Sequence, residues 1–133
     1  NSNYGTIDNK AVLDLDDDAA NVISGVRWRM PTFAEFQELL DNCTWEWTSV
    51  NGVNGYKVSG NGNHIFFPAS GCRYYDEEEV RYLGEGASYW SSTLNAECND
   101  CADVFSFYPQ DEYLGFDRVS RYPGLTIRPV ENQ

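Results

Sequence analysis

The spacing of the apolar residues changes after residue 43, and this change constrains the fold more than any other feature. Phe36, Leu39, Leu40 and Cys43 recur at helical spacing, which places them on one face of a helix. From Thr44 onward apolar and polar residues alternate, as is typical of strands with one buried face. Helical patterns followed by many short strands favour an α+β fold with an antiparallel sheet.

Two helix starts are predicted before that change. Residues 16–20 combine acids with alanines, and acidic side chains are favourable in the first turn, near the positive end of a helix. Gly25 is expected to end this short helix. Thr32 and Glu35 have the spacing of a capping box, and the second helix is expected to end near Asn42.

Turn signals divide the rest of the chain into short strands. Trp45 and Trp47 are two residues apart and are expected to share one face of a strand. Pro68 is expected to end a buried strand, because proline cannot donate to a sheet. Turns are predicted at Asn51-Gly52, Asn54-Gly55 and residues 60–63. The predicted strands are residues 26–30, 55–58, 64–68, 88–92, 104–108, 113–116 and 125–130. Of these, 104–108 and 113–116 are predicted to pair as a hairpin across residues 109–112.

Composition and charge limit the function classes. The 133 residues suit one domain, and 41% apolar residues are enough for a core. The formal net charge of −12 repels phosphate backbones and anionic lipids, so we expect neither nucleic acid nor a membrane surface as a partner. No apolar run approaches the roughly 20 residues of a bilayer span, and no signal peptide is visible at the start. We expect core packing rather than sugar stacking for the tryptophans, Trp28, Trp45, Trp47 and Trp90.

The cysteines allow several pairings. Cys98 and Cys101 have zinc-knuckle spacing, but a closed zinc site would also need Cys43 and Cys72, or carboxylates. A local disulfide or four free thiols is favoured over zinc. Acids at residues 14–18 lack the pattern of a calcium loop and suit a helix start. We therefore expect no metal and no cofactor.

No pattern of catalytic residues stands out. His64 is the only histidine, and Ser91 and Ser92 do not lie in a Gly-x-Ser-x-Gly elbow. Adjacent acids such as Asp111 and Glu112 are by default solvated loop residues, since adjacency does not set the carboxylate separation that glycoside hydrolysis requires. We therefore expect that the protein is not an enzyme and has no catalytic residues.

A combination of short segments spans most of the chain, from Leu13 to Val130. It includes Leu-Asp-Asp-Asp-Ala-Ala at 15–20, Trp-Arg-Met-Pro-Thr at 28–32, Cys-Thr-Trp at 43–45, Asn-Gly-Tyr-Lys-Val at 54–58, Phe-Pro-Ala-Ser-Gly at 67–71, Tyr-Trp-Ser-Ser at 89–92 and Arg-Pro-Val at 128–130. The combination resembles the Fibrobacter succinogenes-type major paralogous domain. That resemblance implies a C-type-lectin-like fold over residues 1–133, with two helices and a twisted antiparallel sheet with long loops. It also implies an extracellular or cell-surface location.

Two parts of the chain depart from that family. Members often carry a further stretch before the first helix, so residues 6–13 either replace the first strand or that part of the domain is missing. Residues 93–124 carry more scattered acids, cysteines and arginines than the family pattern suggests. This second region resembles the variable segment of proteins diversified by retroelements that mutate adenines.

These observations predict a ligand-binding face at residues 93–122, held between two structural segments at 89–92 and 128–130. The expected partner is a protein or glycan on another surface. The alternatives are a structural module of a larger adhesin-like protein, or an oxidase of the formylglycine-generating type that would use Cys98 and Cys101. The candidate contact residues are Asn95, Asp103, Tyr108, Gln110, Asp111, Tyr113, Asp117, Arg118, Arg121 and Tyr122.

Overall fold

The computed structural model describes residues 10–75, 77–98 and 100–132. Within them the chain is an α+β domain with two α-helices, α1 (Ala19–Ser24) and α2 (Phe33–Asn42), and antiparallel and mixed sheets. This confirms the predicted α+β class. The strands are β1 (Trp28–Arg29), β2 (Thr44–Val50), β3 (Val53–Gly60), β4 (Asn63–Pro68), β5 (Ser70–Cys72), β6 (Arg81–Leu83), β7 (Ala87–Leu94), β8 (Cys101–Tyr108), β9 (Tyr113–Ser120) and β10 (Val130–Glu131).

Three sheets organise these strands. β2, β3 and β4 form an antiparallel meander, and β6-β5-β7-β8-β9 form a five-stranded sheet in which only β5 and β7 run parallel. β1 pairs with β10, which joins the C-terminal segment to the strand between the two helices. The predicted hairpin of 104–108 with 113–116 is confirmed and extends to the full lengths of β8 and β9 around a 3-10 turn at Pro109–Asp111.

The start of α1 is held by a buried carboxylate. Asp18 is 2% exposed and accepts hydrogen bonds from the backbone N–H groups of Ala20 at 2.9 Å and Met30 at 2.8 Å. Asp18 therefore caps the helix and also fixes the chain after β1. The predicted helix start and its end at Gly25 are confirmed, but no acid lies in the first turn, because the helix begins only at Ala19.

The start of α2 follows the predicted capping box. Thr32 accepts from the Glu35 N–H, and the Glu35 carboxylate accepts from the Thr32 N–H. Arg29 donates two hydrogen bonds to the same carboxylate, at 2.6 and 2.8 Å. Chiefly because of these Arg29 bonds, the pKa of Glu35 is lowered to about 2, even though partial burial opposes the shift.

The core lies between the five-stranded sheet and a layer made of α2 and the meander. Phe105 of β8 stacks on Phe36 of α2, with 5.0 Å between ring centroids. Trp45 of β2 lies 5.2 Å from Phe105 and 5.6 Å from Phe67 of β4. Because β8 alternates, Phe105 and Phe107 point to this core side while Ser106 and Tyr108 point to the opposite side of the sheet.

Several local predictions were wrong. Asn54-Gly55 is not a turn but part of β3, where Gly55 pairs with Thr48 and Pro68. A Cβ at Gly55 would lie 2.2 Å from the Phe67 carbonyl oxygen, so glycine there serves close strand packing. Asn51 and Gly52 do form a turn, with positive φ at both residues.

The terminal strand predicted at residues 125–130 is reduced to β10 at Val130–Glu131. Thr126 makes one isolated bridge to Tyr89, and Pro129 has no N–H with which to extend a strand. The strand predicted at 26–30 is likewise only Trp28–Arg29.

Core packing was wrong for Trp28, which is 38% exposed, and holds only in part for Trp47, which is 37% exposed but whose ring meets the buried Phe107 ring edge-on at 6.1 Å. Trp45 packs against the core. Trp45 and Trp47 share a face as predicted, since both contact Tyr56.

The predicted N-terminal stretch at 6–13 is only partly described. Residues 6–9 lie outside the described residues, and Val12 forms a single bridge to Thr93. Neither helix in the described chain has the length and apolar composition needed to cross a membrane.

Candidate binding surface

The register of β8 and β9 separates the predicted contact residues onto two sides of the sheet. Asp103 lies opposite Arg118, and this pair is on the core side, in line with Phe105 and Phe107. Tyr108 lies opposite Tyr113 on the other side. The predicted 93–122 region is therefore not a single face.

On the core side, hydrogen bonds join side chains to one another at the edge of the sheet. The Asn95 side-chain amide donates to the Asp103 carboxylate at 2.8 Å. Arg118 donates to the Glu97 carboxylate at 2.9 Å. These contacts hold residues 95–97 against β8 and β9, so Asn95, Asp103 and Arg118 have a structural role in fixing this loop.

A disulfide between Cys98 and Cys101 closes the same loop. Of the two favoured predictions, the local disulfide is confirmed, while Cys43 and Cys72 are free thiols. Ligand atoms of Cys98, Asp100 and Cys101 lie within 4.8 Å of one another. Both sulfurs are bonded to each other, however, and zinc requires thiolates. Arg121 lies at this edge too, donating from Nε to the Cys101 carbonyl at 3.3 Å.

A group of tyrosines lies on the opposite side of the sheet and on the segments that follow β5 and β9, and we call this group the tyrosine face. The Tyr82 and Tyr108 ring centroids are 5.2 Å apart, and Tyr108 lies 6.5 Å from Tyr113. Tyr75 and Tyr122 stack at 6.0 Å, with 25° between ring planes. The tyrosine face comprises Tyr74, Tyr75, Tyr82, Tyr108, Tyr113 and Tyr122.

Three of these rings are open to solvent. Tyr75 is 70% exposed, Tyr122 is 69% exposed and Tyr82 is 45% exposed. The segments that carry Tyr75 and Tyr122 are joined by two backbone hydrogen bonds between Arg73 and Gly124, at 2.7 and 2.9 Å. The stacked pair therefore rests on paired backbone rather than on a free loop.

Buried hydroxyl groups support the tyrosine face from below. The Ser88 hydroxyl forms hydrogen bonds with the Ser106 hydroxyl at 2.8 Å and with the Tyr108 hydroxyl at 3.0 Å. Burial raises the pKa of Tyr108, although its bond to Ser88 opposes the shift. A hydrogen bond with Cys72, followed by burial, raises the pKa of Tyr74. Tyr74 and Tyr108 thus stay neutral near pH 7, and the hydrogen bonds fix these inner tyrosines in place.

Tyr113 is fixed in a different way. Its hydroxyl donates to the Phe116 carbonyl at 2.5 Å, and a Cβ at Gly115 would lie 4.0 Å from that hydroxyl. The ring therefore lies along β9 over the glycine. Burial, and then the negative charge of Asp117, raise the pKa of Tyr113. Asp117 thus borders the tyrosine face.

Acidic residues surround the tyrosine face. A concavity of about 570 Å³ lies beside Tyr82. Gln110 and Asp111 are exposed in the hairpin turn between Tyr108 and Tyr113. Asp76 lies outside the described residues. The concavity is lined by Glu77, Glu78, Glu79, Val80, Arg81, Tyr82 and Glu85.

A second, larger cavity of about 900 Å³ lies between α2, β4 and the C-terminal segment. Its floor is made of core residues such as Phe36 and Phe67, and Arg128 lies 5.5 Å above the Phe67 ring. His64 is in its wall. Ser91, by contrast, is buried and bonds to the Asp103 carbonyl at 2.7 Å. Ser59 lies opposite His64 in the β3–β4 pair, but no hydrogen bond joins His64 to a serine or cysteine side chain within the described residues.

Sequence reasoning found part of the tyrosine face and missed the rest. Of the predicted contact residues, Tyr108, Tyr113 and Asp117 lie close together, whereas Tyr122 stacks on Tyr75 beyond the other end of β9. All but one of the missed residues are in the 72–88 stretch, which reaches the site because β5 pairs with β7. The one local signal was three tyrosines within nine residues of this stretch, at 74, 75 and 82. The missed residues are Cys72, Tyr74, Tyr75, Tyr82 and Ser88, with Ser106 from β8.

Comparison with known proteins gives no relative from which to carry over a site. No protein-family model, curated protein or solved structure matches this chain.

Proposed function

We propose that this chain is a non-enzymatic binding domain that recognises a protein or glycan on another surface through the tyrosine face. The observation that carries the proposal is three exposed tyrosine rings: Tyr82 on β6, and the stacked pair Tyr75 and Tyr122 on two segments that backbone hydrogen bonds join. Exposed patches of apolar and aromatic surface are uncommon on monomeric proteins and mark interaction sites.

The chemistry of tyrosine suits this role. Each ring offers a large contact area at a small cost in conformational entropy, and its hydroxyl forms hydrogen bonds with proteins or sugars. The Ser88–Ser106–Tyr108 bonds and the Arg73–Gly124 bridge hold the surface in place before a ligand arrives. Such preorganisation reduces the free-energy cost of binding.

We further propose that the fold is C-type-lectin-like and that the protein acts outside the cell or on its surface. Two helices, an antiparallel meander and a mixed five-stranded sheet support the fold. The Cys98–Cys101 disulfide supports an oxidising compartment. Tyr89, Ser91 and Ser92 are buried, as expected of a structural segment before a variable one.

Diversification by a retroelement belongs to the same proposal. It is supported by the exposure of Asp117 and Tyr122, which are in the predicted variable segment and border the tyrosine face. Sequencing the neighbouring DNA tests it. We expect a near-copy of the codons for residues 95–130 beside a reverse-transcriptase gene, and a locus without both would remove this part of the proposal.

Ligand selection tests the binding function. The protein is used to select ligands from a peptide display library and a glycan array, and the selected ligands are then titrated against Tyr75→Ala/Tyr122→Ala. We expect at least a tenfold loss of affinity, as for loss of aromatic anchors. The matched control is Val22→Ala/Ile23→Ala, which trims two side chains of α1 that are 65% and 81% exposed. Equal affinities for both double variants would remove the proposed site.

A further inference from the structure

We propose that the ligand of the tyrosine face is a basic protein segment, whose arginine side chains lie on the exposed tyrosine rings and reach the carboxylates beside them. This inference rests on the proposed binding function and adds the chemical class of the partner. It is argued from charge complementarity around the face.

The carboxylates beside Tyr82 exceed the cations available to them. Arg81 is ion-paired with Glu77, and Arg73 donates to the Glu77 carbonyl rather than to a carboxylate. Glu78, Glu79 and Glu85 have no ion pair within the described part of the chain. This side of the tyrosine face therefore presents uncompensated negative charge around an aromatic ring.

The geometry suits a guanidinium group. The acidic concavity has a volume of about 570 Å³ and is walled on one side by Tyr82, which is 45% exposed. A cation there contacts the face of an aromatic ring and carboxylates together, and each contact strengthens with partial desolvation. Arginine is favoured over lysine, because its planar group both stacks on tyrosine and bonds a carboxylate with two donors.

The far end of the tyrosine face repeats this chemistry. Asp117 is close enough to Tyr113 for its charge to raise the pKa of the phenol. Asp111 and Glu112 lie in the exposed turn that joins Tyr108 to Tyr113. Acids at both ends fit an extended basic segment that crosses the rings, and they repel anionic glycans and nucleic acids.

Synthetic peptides of equal length that alternate glycine with arginine, lysine or glutamate test the inference by calorimetry. We expect binding of the arginine peptide, weaker binding of the lysine peptide and none of the glutamate peptide. Glu78→Gln/Glu79→Gln/Glu85→Gln should weaken arginine-peptide binding about tenfold at physiological salt. The control Asp17→Asn/Glu38→Gln/Glu46→Gln removes the same charge from exposed positions elsewhere and should change it less than twofold. Circular dichroism of each variant verifies that it is folded.

The outcomes separate this inference from the proposed function. Equal losses in the two triple variants would mean attraction to net charge alone and would overturn the inference. So would selected ligands that are neutral or acidic yet lose affinity in Tyr75→Ala/Tyr122→Ala, although the binding function would then stand. If no selected ligand depends on Tyr75 and Tyr122, the proposed function fails together with the inference.

Discussion

The two sides of the five-stranded sheet use aromatic residues for different purposes. On the core side, Phe105 and Phe107 are 0% exposed and pack against other rings. On the tyrosine face, Tyr75 and Tyr122 stack on each other but are 70% and 69% exposed. The same kind of ring contact therefore stabilises the fold on one side and leaves surface available for a partner on the other.

The buried residues next to the sheet also differ in chemistry between its two sides. The core side is closed by apolar contacts, whereas the tyrosine face rests on the hydroxyls of Ser88 and Ser106. Trimming an apolar side chain in the core lowers the free energy of unfolding because it leaves a cavity. Removing one hydroxyl of a buried pair lowers it because the other hydroxyl loses its hydrogen-bond partner. Substitutions on the two sides should therefore differ in size and in additivity.

The largest expected effect is on the core side. Phe105→Ala removes a ring that contacts Phe36 and Trp45, and it should lower the free energy of unfolding by about 3–5 kcal/mol. Tyr122→Ala, on the tyrosine face, should change it by no more than about 0.5 kcal/mol. Urea unfolding measures both. A loss from Tyr122→Ala as large as that from Phe105→Ala would break the distinction between the two sides.

The next effect concerns the hydroxyl layer. Ser88→Ala leaves the Ser106 and Tyr108 hydroxyls without this partner, which should cost about 1–3 kcal/mol. Adding Ser106→Ala should cost less than the sum of the two single changes, because both remove the same bond. A double-mutant cycle in urea measures the coupling. Strict additivity would show that the hydroxyl pair does not stabilise this face.

A smaller effect depends on pH. The folded-state pKa of Glu35 is about 2, below its ordinary value of 4.5. Its bonds to Arg29 therefore stabilise the fold fully above the ordinary pKa, and this contribution is lost as the pH falls from 4.5 toward 2. Glu35 is over one-third exposed, so we expect only about 1 kcal/mol.

The difference in unfolding free energy between the native protein and Glu35→Gln isolates this contribution. It should be constant near neutral pH and should shrink between about pH 4.5 and pH 2. A difference that does not vary with pH would contradict the assignment. Because α2 lies on the core side, ligand binding at the tyrosine face should not depend on this substitution.

Local signals predicted the parts of the fold that neighbouring residues determine. The capping box of Thr32 and Glu35 and the hairpin of β8 with β9 each depend on a few adjacent residues, and both were predicted. The turn predicted at Asn54-Gly55 was wrong because Gly55 pairs with β2 on one side and β4 on the other. These strands come together only in the folded chain.

The site was harder to predict for the same reason. Tyr108 and Tyr113 are joined by a short turn, so their pairing was readable. Tyr82 reaches Tyr108 only because β5 connects β6 to β7 across the sheet. Asp103 and Tyr108 point to opposite sides of the sheet because side chains alternate along a strand. The predicted single face at residues 93–122 did not take this alternation into account.

The central claim is that a ligand covers the tyrosine face and not the core side. Nuclear magnetic resonance of protein labelled only in its tyrosine rings tests it directly, with a selected ligand added. We expect shifts at Tyr75, Tyr82 and Tyr122, and none at Tyr56 and Tyr89, which pack in the core. Saturable binding with no shift at the three exposed rings would contradict the claim.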